Sequence, residues 1–231
     1  MNPNDPNIRL VEHLTSYLGD LRNEVVFVGG CAAGLLVTDQ ARPPVRPTKD
    51  VDVVTEITSR GAYQYLAERL RSLGFEEDAD SGITCRWIVG GVQVDIMPTD
   101  ADILGFSNRW YPKAIETAGE CALPNGEKIL LLTAPLFLAT KLEAFYDRGD
   151  QDYAASHDME DILTIIDGRK ETVDEVFSAD SDVQDYLQSQ FESLLSIPEF
   201  VDTIPYHLQS DPANQGRAPE VLKRLRKIAG I

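Results

Sequence analysis

Three aspartates in the sequence could hold a divalent cation. Asp50 and Asp52 alternate with valines in the segment DVDVV, a pattern typical of a half-buried strand. Residues two apart on a strand face the same side, so both carboxylates leave one face. Two carboxylates this close repel each other unless a cation lies between them, and oxygen ligands favour Mg²⁺ or Mn²⁺ over zinc. The spacing indicates a metal site, although the solvent-exposed face of an ordinary amphipathic strand has the same pattern.

The third carboxylate, Asp95, lies among apolar residues in the segment VQVDIM. An acid in such a strand is costly unless it faces a partner or an ion. If this strand lies beside the strand of Asp50 and Asp52, we expect the three carboxylates to converge. Asp100 and Asp102 are rival candidates, but they are predicted to lie in a loop.

A glycine pair stands where a phosphate could bind. Gly29-Gly30 follows a short β-branched strand and precedes a small apolar helix that begins at Cys31. A helix start offers free backbone N–H groups to a phosphate, and glycine lets the phosphate approach the backbone closely. The spacing fits neither GxGxxG nor a P-loop, because no Lys-Ser/Thr follows Gly34. An ordinary strand-to-helix turn is the alternative interpretation.

The elements that must position these residues divide the sequence in two. Residues 1–132 alternate strands and helices, with the strongest hairpin signal at Gly90-Gly91, and residues 133–231 have helical apolar spacing only. We therefore predict an α+β fold, with a mixed sheet flanked by helices in 1–132 and a helical C-terminal half in 133–231. The predicted strands are 24–28, 50–54, 84–89, 92–97, 120–123 and 128–132, and the predicted helices are 7–21, 31–37, 59–73, 134–148, 156–166, 180–195 and 219–229.

The composition argues against several classes of protein. A formal net charge of -17 disfavours non-specific sliding on nucleic acid. No stretch approaches the roughly 18 apolar residues of a membrane span, and no basic region precedes an apolar run, so we expect neither membrane insertion nor a secretion signal. The three cysteines form no CxxC pair, which argues against disulfides and zinc-thiolate sites and is compatible with a cytoplasmic location.

In combination, these motifs resemble the polymerase-beta-like nucleotidyltransferase superfamily: a strand ending in GG, a short helix, an hDhDh strand and a later single Asp. The segment RPTKDVD, from Arg46 to Asp52, looks like the RxTxDxD form of AbiEii-type abortive-infection toxins. Those proteins also carry a KxxAxxxR helix followed by a DxxD helix, matched here by residues 141–148 and 158–161. The resemblance covers approximately residues 25–168.

The resemblance implies a nucleotidyltransferase-type fold and a reaction that moves a nucleoside monophosphate from a nucleoside triphosphate to an acceptor hydroxyl, releasing pyrophosphate. It implies Mg²⁺ or Mn²⁺ as cofactor, with Asp50, Asp52 and Asp95 as catalytic residues and metal ligands. Many members have Ser or Thr where this chain has Cys31, and a thiol is a poorer donor to phosphate. The residues implied in nucleotide binding are Gly29, Gly30, Cys31, Lys141, Arg148, Asp158 and Asp161.

Helical geometry leaves two interpretations of the four charged residues Lys141, Arg148, Asp158 and Asp161. Lys141 and Arg148 flank the same apolar stripe, from which they could reach a triphosphate. Asp158 and Asp161 share one flank of the following helix, so either could orient a nucleotide or pair with one of the two cations. Salt bridges between two packed helices are therefore the alternative to a nucleotide site.

The acceptor is not determined by these motifs. The resemblance implies a toxin of a two-gene system that modifies tRNA, with a cognate antitoxin protein as partner. The alternatives are a small cationic acceptor, such as an aminoglycoside, and a catalytically silent nucleotide-binding module. An RNA acceptor requires a local basic patch, for which the candidates are Arg46, Arg109 and Lys113, with Arg42, the basic helix 223–227 and the stacking residues Trp110 and Tyr111.

Overall fold

The computed structural model describes residues 5–39, 41–105, 107–148 and 152–231; the first four residues of the predicted first half lie outside these ranges. The chain divides into two compact units. The first, here called the sheet unit, comprises the described residues up to Leu35 together with Arg46–Thr133. The second, the helical unit, comprises Leu36–Val45 and the described residues of Ala134–Ile231. The α+β fold class is confirmed.

Within the described residues, seven strands form one mixed sheet. In chain order they are β1 (Val25–Val28), β2 (Asp50–Thr55), β3 (Glu76–Glu77), β4 (Arg86–Val89), β5 (Val92–Pro98), β6 (Gly119–Ala122) and β7 (Lys128–Leu131). Their order across the sheet is β3-β4-β5-β2-β1-β7-β6, with β2–β5 and β1–β7 parallel and the other neighbours antiparallel. All but β3, which has only two residues, were predicted from period-two patterns and turn residues.

Helices flank this sheet. The first begins after Asp5, whose carboxylate accepts a hydrogen bond from the Asn7 N–H at 2.9 Å, and Pro6 occupies the first turn, where no N–H partner is needed. It ends before Gly19, which has a φ of +52°, so the predicted helix 7–21 is interrupted there. The helices of this part of the chain are α1 (Pro6–Leu18), α2 (Gly29–Leu36), α3 (Arg60–Ser72), α4 (Ala101–Leu104) and α5 (Tyr111–Glu116).

The helical unit packs its helices around an apolar core. The sequence predicted its longer helices, but the shorter α8, α10 and α11 have too few turns to show a clear period. Among the described residues, no helix combines the length and apolarity needed to cross a membrane. The helices are α6 (Ala134–Asp147), α7 (His157–Gly168), α8 (Thr172–Ser178), α9 (Ser181–Leu195), α10 (Pro198–Thr203), α11 (Pro212–Gln215) and α12 (Ala218–Ala229).

The segment Leu36–Val45 belongs to the helical unit because its polar groups are satisfied there. Buried Asp167 accepts hydrogen bonds from the Arg42 Nε at 2.9 Å and the Arg217 Nε at 2.7 Å. The backbone N–H of Asp39 also donates to the Gly168 carbonyl, at 2.8 Å. The expectation that Arg42 contributes to an RNA-binding surface is wrong, because its guanidinium is buried in this ion pair.

We expect Asp167→Ala to lower the free energy of unfolding by about 3–5 kcal/mol, because it leaves the buried guanidinium of Arg42 without its counter-ion. Urea unfolding followed by circular dichroism measures this loss. The control is Glu220→Ala, which removes the pairings of a half-exposed carboxylate with Lys223 and Arg224 in the same unit and should cost less than about 1 kcal/mol. Equal effects of the two changes would contradict a supporting role for the buried pair.

Candidate active site

The strand register places the predicted aspartates side by side. β2 and β5 pair in parallel with Asp52 opposite Asp95, and Asp50 lies two residues earlier on β2. Val28, at the end of β1, pairs with Asp52, and Arg86 on β4 pairs with Asp95. Directly paired residues project from the same face of a sheet, so Asp52, Asp95 and Arg86 form one row across three neighbouring strands.

Arg86 connects two of the three carboxylates. Its Nε donates to Asp95 Oδ1 at 2.7 Å, and its Nη2 donates both to Asp95 Oδ2 at 2.8 Å and to Asp50 Oδ2 at 3.0 Å. The side chain is only 14% exposed, and its hydrogen bond to Asp95 is the main cause of the raised pKa of Arg86. Because one nitrogen contacts oxygens of both Asp50 and Asp95, the two carboxylates lie close together.

Arg86 was not among the predicted site residues, although the hairpin sequence indicates its position. A two-residue turn at Gly90-Gly91 places Val89 opposite Val92, and counting back along both strands places Arg86 opposite Asp95. An oppositely charged cross-strand pair is stabilising, so Asp95 had a predictable partner. The sequence supplied a resident cation as well as the carboxylates that require one.

Asp50 is held from its other side by the loop that precedes it. The Thr48 hydroxyl donates to Asp50 Oδ1 at 2.7 Å. The loop is fixed to α1 by the buried side chain of Asn7, which accepts from the Thr48 N–H and donates to the Arg46 carbonyl, each at 2.9 Å. The RPTKD segment therefore positions Asp50 through Thr48, while the role of Arg46 in acceptor binding stays a prediction.

Gly29 lies directly against the carboxylate of Asp52. Its φ is +63°, and a Cβ added to it would overlap the Asp52 carboxyl group. Glycine is required here both by backbone conformation and by space. Helix α2 therefore begins beside Asp52, with Gly30 as its second residue, and phosphate binding by Gly29 and Gly30 stays a prediction.

Two cysteine thiols lie near the carboxylates but are directed inwards. Cys31 is fully buried and its Sγ donates to the Val28 carbonyl at 3.1 Å, so its backbone N–H is the group that suits a phosphate. Burial, with a smaller effect of the Asp95 charge, raises the pKa of Cys85 to about 12. Its thiol is therefore neutral near pH 7 and is a poor nucleophile or metal ligand.

The three site aspartates offer oxygen atoms of the kind that a divalent metal prefers, but these atoms are not arranged around a common metal position. Asp50, Asp52 and Asp95 supply the hard oxygens that Mg²⁺ and Mn²⁺ prefer. Over the described ranges, however, no group of three His, Cys, Asp or Glu side chains is arranged to hold a metal ion. Arg86 donates to both oxygens of Asp95 and one of Asp50, so a metal shared by those carboxylates requires rearrangement of its hydrogen bonds.

The Lys141 cluster joins α6 to α7 within the helical unit. The Lys141 Nζ lies 3.2 Å from Asp158 Oδ1 and 2.6 Å from Asp161 Oδ2, and the Arg148 Nη1 lies 2.6 Å from Asp158 Oδ2. Lys141 and both aspartates are buried, while the Arg148 side chain is 67% exposed. The ion-pair interpretation thus describes the contacts observed, and nucleotide binding by these four residues stays a prediction.

Arg109 lines a cavity of about 870 Å³ in the sheet unit. Its described lining includes Glu56, Asp100 and Glu116 but none of the three site aspartates. Trp110 is buried, with the Arg109 guanidinium carbon 4.7 Å from its ring centroid, so the expectation that Trp110 stacks on a base is wrong. Acceptor binding by Arg109 and Lys113 stays a prediction.

Two solved structures illustrate what the chain is similar to. An antigenic nucleotidyltransferase-like protein from Paracoccidioides brasiliensis aligns with a TM-score of 0.53 and 22% identity, over 87% of this chain and 93% of that one. The antibiotic-resistance factor ANT(2'')-Ia aligns with a TM-score of 0.46 and 16% identity, over 82% of this chain and 92% of that one. No protein-family profile and no curated protein matches the sequence. The first likeness establishes that the chain has a nucleotidyltransferase-like fold.

Gly29→Ala should be more destabilising than Gly126→Ala. Both glycines have positive φ, so alanine is strained by about 1–2 kcal/mol at either position, but only the Gly29 Cβ would meet the Asp52 carboxylate. We expect the overlap to cost about 1–3 kcal/mol more, measured by urea unfolding with a chelator present. Equal losses would show that Asp52 moves aside without cost.

Proposed function

We propose that the protein is a metal-dependent nucleotidyltransferase. The observation that carries this proposal is the register that puts Asp52 beside Asp95, with Asp50 bridged to Asp95 through Arg86 and with Gly29 against Asp52. The nucleotidyltransferase-like fold supports the same conclusion independently. A catalytically silent module is less well supported, because such a chain has no need to keep three carboxylates together.

The proposed reaction is an in-line displacement at the α-phosphorus of a nucleoside triphosphate. The acceptor hydroxyl loses its proton to solvent, its oxygen forms the new bond to the α-phosphorus, and the bond from that phosphorus to pyrophosphate breaks. Asp50 and Asp52 would hold Mg²⁺ or Mn²⁺, with Asp95 as a further ligand, and the metal would lower the pKa of the attacking hydroxyl and neutralise phosphate charge. The backbone N–H groups at the start of α2 would bind the outer phosphates.

We propose two chemical classes for the acceptor hydroxyl. The resemblance to AbiEii-type toxins favours tRNA, and with it a toxin role and a cognate antitoxin. If the Arg109 cavity receives the acceptor, the carboxylates of Glu56, Asp100 and Glu116 in its lining favour a small cationic molecule instead, since they would attract an amine and repel RNA. The net charge of -17 also suits a cationic acceptor.

Label transfer distinguishes these acceptors. The protein is incubated with each α-labelled nucleoside triphosphate and Mg²⁺ or Mn²⁺, in separate reactions with tRNA and with a panel of aminoglycosides. Labelled tRNA supports the toxin proposal, and a labelled aminoglycoside supports the small-molecule proposal. Failure of every triphosphate, with either metal, to label any of these acceptors or any component of a cell extract would contradict the proposed function.

Asp52→Ala should reduce transfer by at least about 100-fold, because Asp52 is a proposed direct metal ligand and loss of a residue that only hydrogen-bonds to a ligand already costs up to about 100-fold. The fold should remain, because the change removes one of several carboxylates that repel each other. Label transfer and thermal unfolding are measured together, with Asp80→Ala, an exposed carboxylate of the same unit, as control. Wild-type turnover in the Asp52 variant, or its unfolding, would count against the assignment.

A further inference from the structure

Arg86 provides a permanent positive charge at the carboxylate cluster. Its guanidinium is bound through Nε and Nη2 to both oxygens of Asp95, and the same Nη2 also contacts Asp50. Bidentate arginine–carboxylate pairs have well-defined geometry and stay charged at all physiological pH values. The carboxylates are therefore neutralised in part by the chain itself before any metal arrives.

A metal at Asp50 and Asp95 would meet this guanidinium at short range. Three of the four carboxylate oxygens of Asp50 and Asp95, which would help to hold a metal, already accept N–H groups from Arg86. The metal must displace or share those hydrogen bonds, and it must do so while two like charges lie a few ångströms apart in a partly buried site, where screening is weak. Both effects weaken the binding of a free cation.

We propose that Arg86 is a positioning residue that holds Asp50 and Asp95 together in the metal-free protein and lowers their affinity for free divalent cations. This inference rests on the proposed function and deepens it. A triphosphate brings negative charge with its metal and so offsets the repulsion by Arg86. The residue thereby favours metal that arrives with the nucleotide over metal that arrives alone.

Titration with Mn²⁺ alone, followed by the electron paramagnetic resonance signal of free Mn²⁺, tests this inference without any measurement of activity. We expect Arg86→Gln, which removes the charge, to bind Mn²⁺ about tenfold or more tightly than the wild type. Arg86→Lys keeps the charge but cannot make the bidentate hydrogen bonds, so its affinity for Mn²⁺ should lie between those of the wild type and Arg86→Gln. Arg69→Gln, which removes an arginine paired with Glu24 elsewhere in the same unit, should leave Mn²⁺ binding unchanged.

The inference is overturned if folded Arg86→Gln binds Mn²⁺ no more tightly than the wild type, or if Arg86→Lys binds Mn²⁺ at least as tightly as Arg86→Gln. If the Gln variant does not fold, Arg86→Lys decides: Mn²⁺ binding tighter than that of the wild type supports the inference, and equal or weaker binding overturns it. In the wild type, the nuclear magnetic resonance signal of the Arg86 Nε–H should shift as Mg²⁺ saturates the protein. A constant signal during Mg²⁺ binding would contradict the proposal that the metal displaces the hydrogen bonds of Arg86. The proposed function, by contrast, would be refuted if the wild type transferred label equally well without a divalent metal.

Discussion

The site depends on the repulsion between three carboxylates and on the cation that offsets it. Asp52 and Asp95 lie on adjacent strands, Asp50 lies on the same face, and Arg86 supplies a positive charge to two of the three. Without a cation, burial of carboxylates this close together would cost stability through desolvation and repulsion. The guanidinium offsets part of this cost, because it pairs with Asp50 and Asp95 within the sheet.

Backbone pairing in the surrounding sheet fixes the row formed by Asp52, Asp95 and Arg86. The Gly90-Gly91 turn sets the register of β4 on β5, and the parallel pairing of β5 with β2 sets the position of Asp95 relative to Asp52. A slip of one residue on β5 would turn Asp95 to the other face and remove it from the site. Gly29 completes the arrangement because it leaves the Asp52 carboxylate the space that a side chain would fill.

Much of this architecture could be predicted from local patterns. Alternation identified the strands of all three aspartates, and the glycine pairs marked the turn and the helix start. The long-range pairing of Arg42 was not predictable in this way, because nothing near it in sequence shows that buried Asp167 neutralises it. The pairing of Lys141 with Asp158 and Asp161 was one of the two interpretations that helical spacing left open. Trp110 was misjudged because an aromatic next to basic residues looks the same in sequence whether its ring is buried or exposed.

A crystal grown with Mn²⁺ and a non-hydrolysable nucleoside triphosphate would test the central claim most directly. Anomalous diffraction near the manganese edge locates the metal independently of any assumption about its ligands. The account predicts a peak within about 2.5 Å of oxygens of Asp50 and Asp52, with the Arg86 Nη2 withdrawn from Asp50. A peak away from these carboxylates, or a triphosphate bound with no manganese and with Arg86 unmoved, would contradict it.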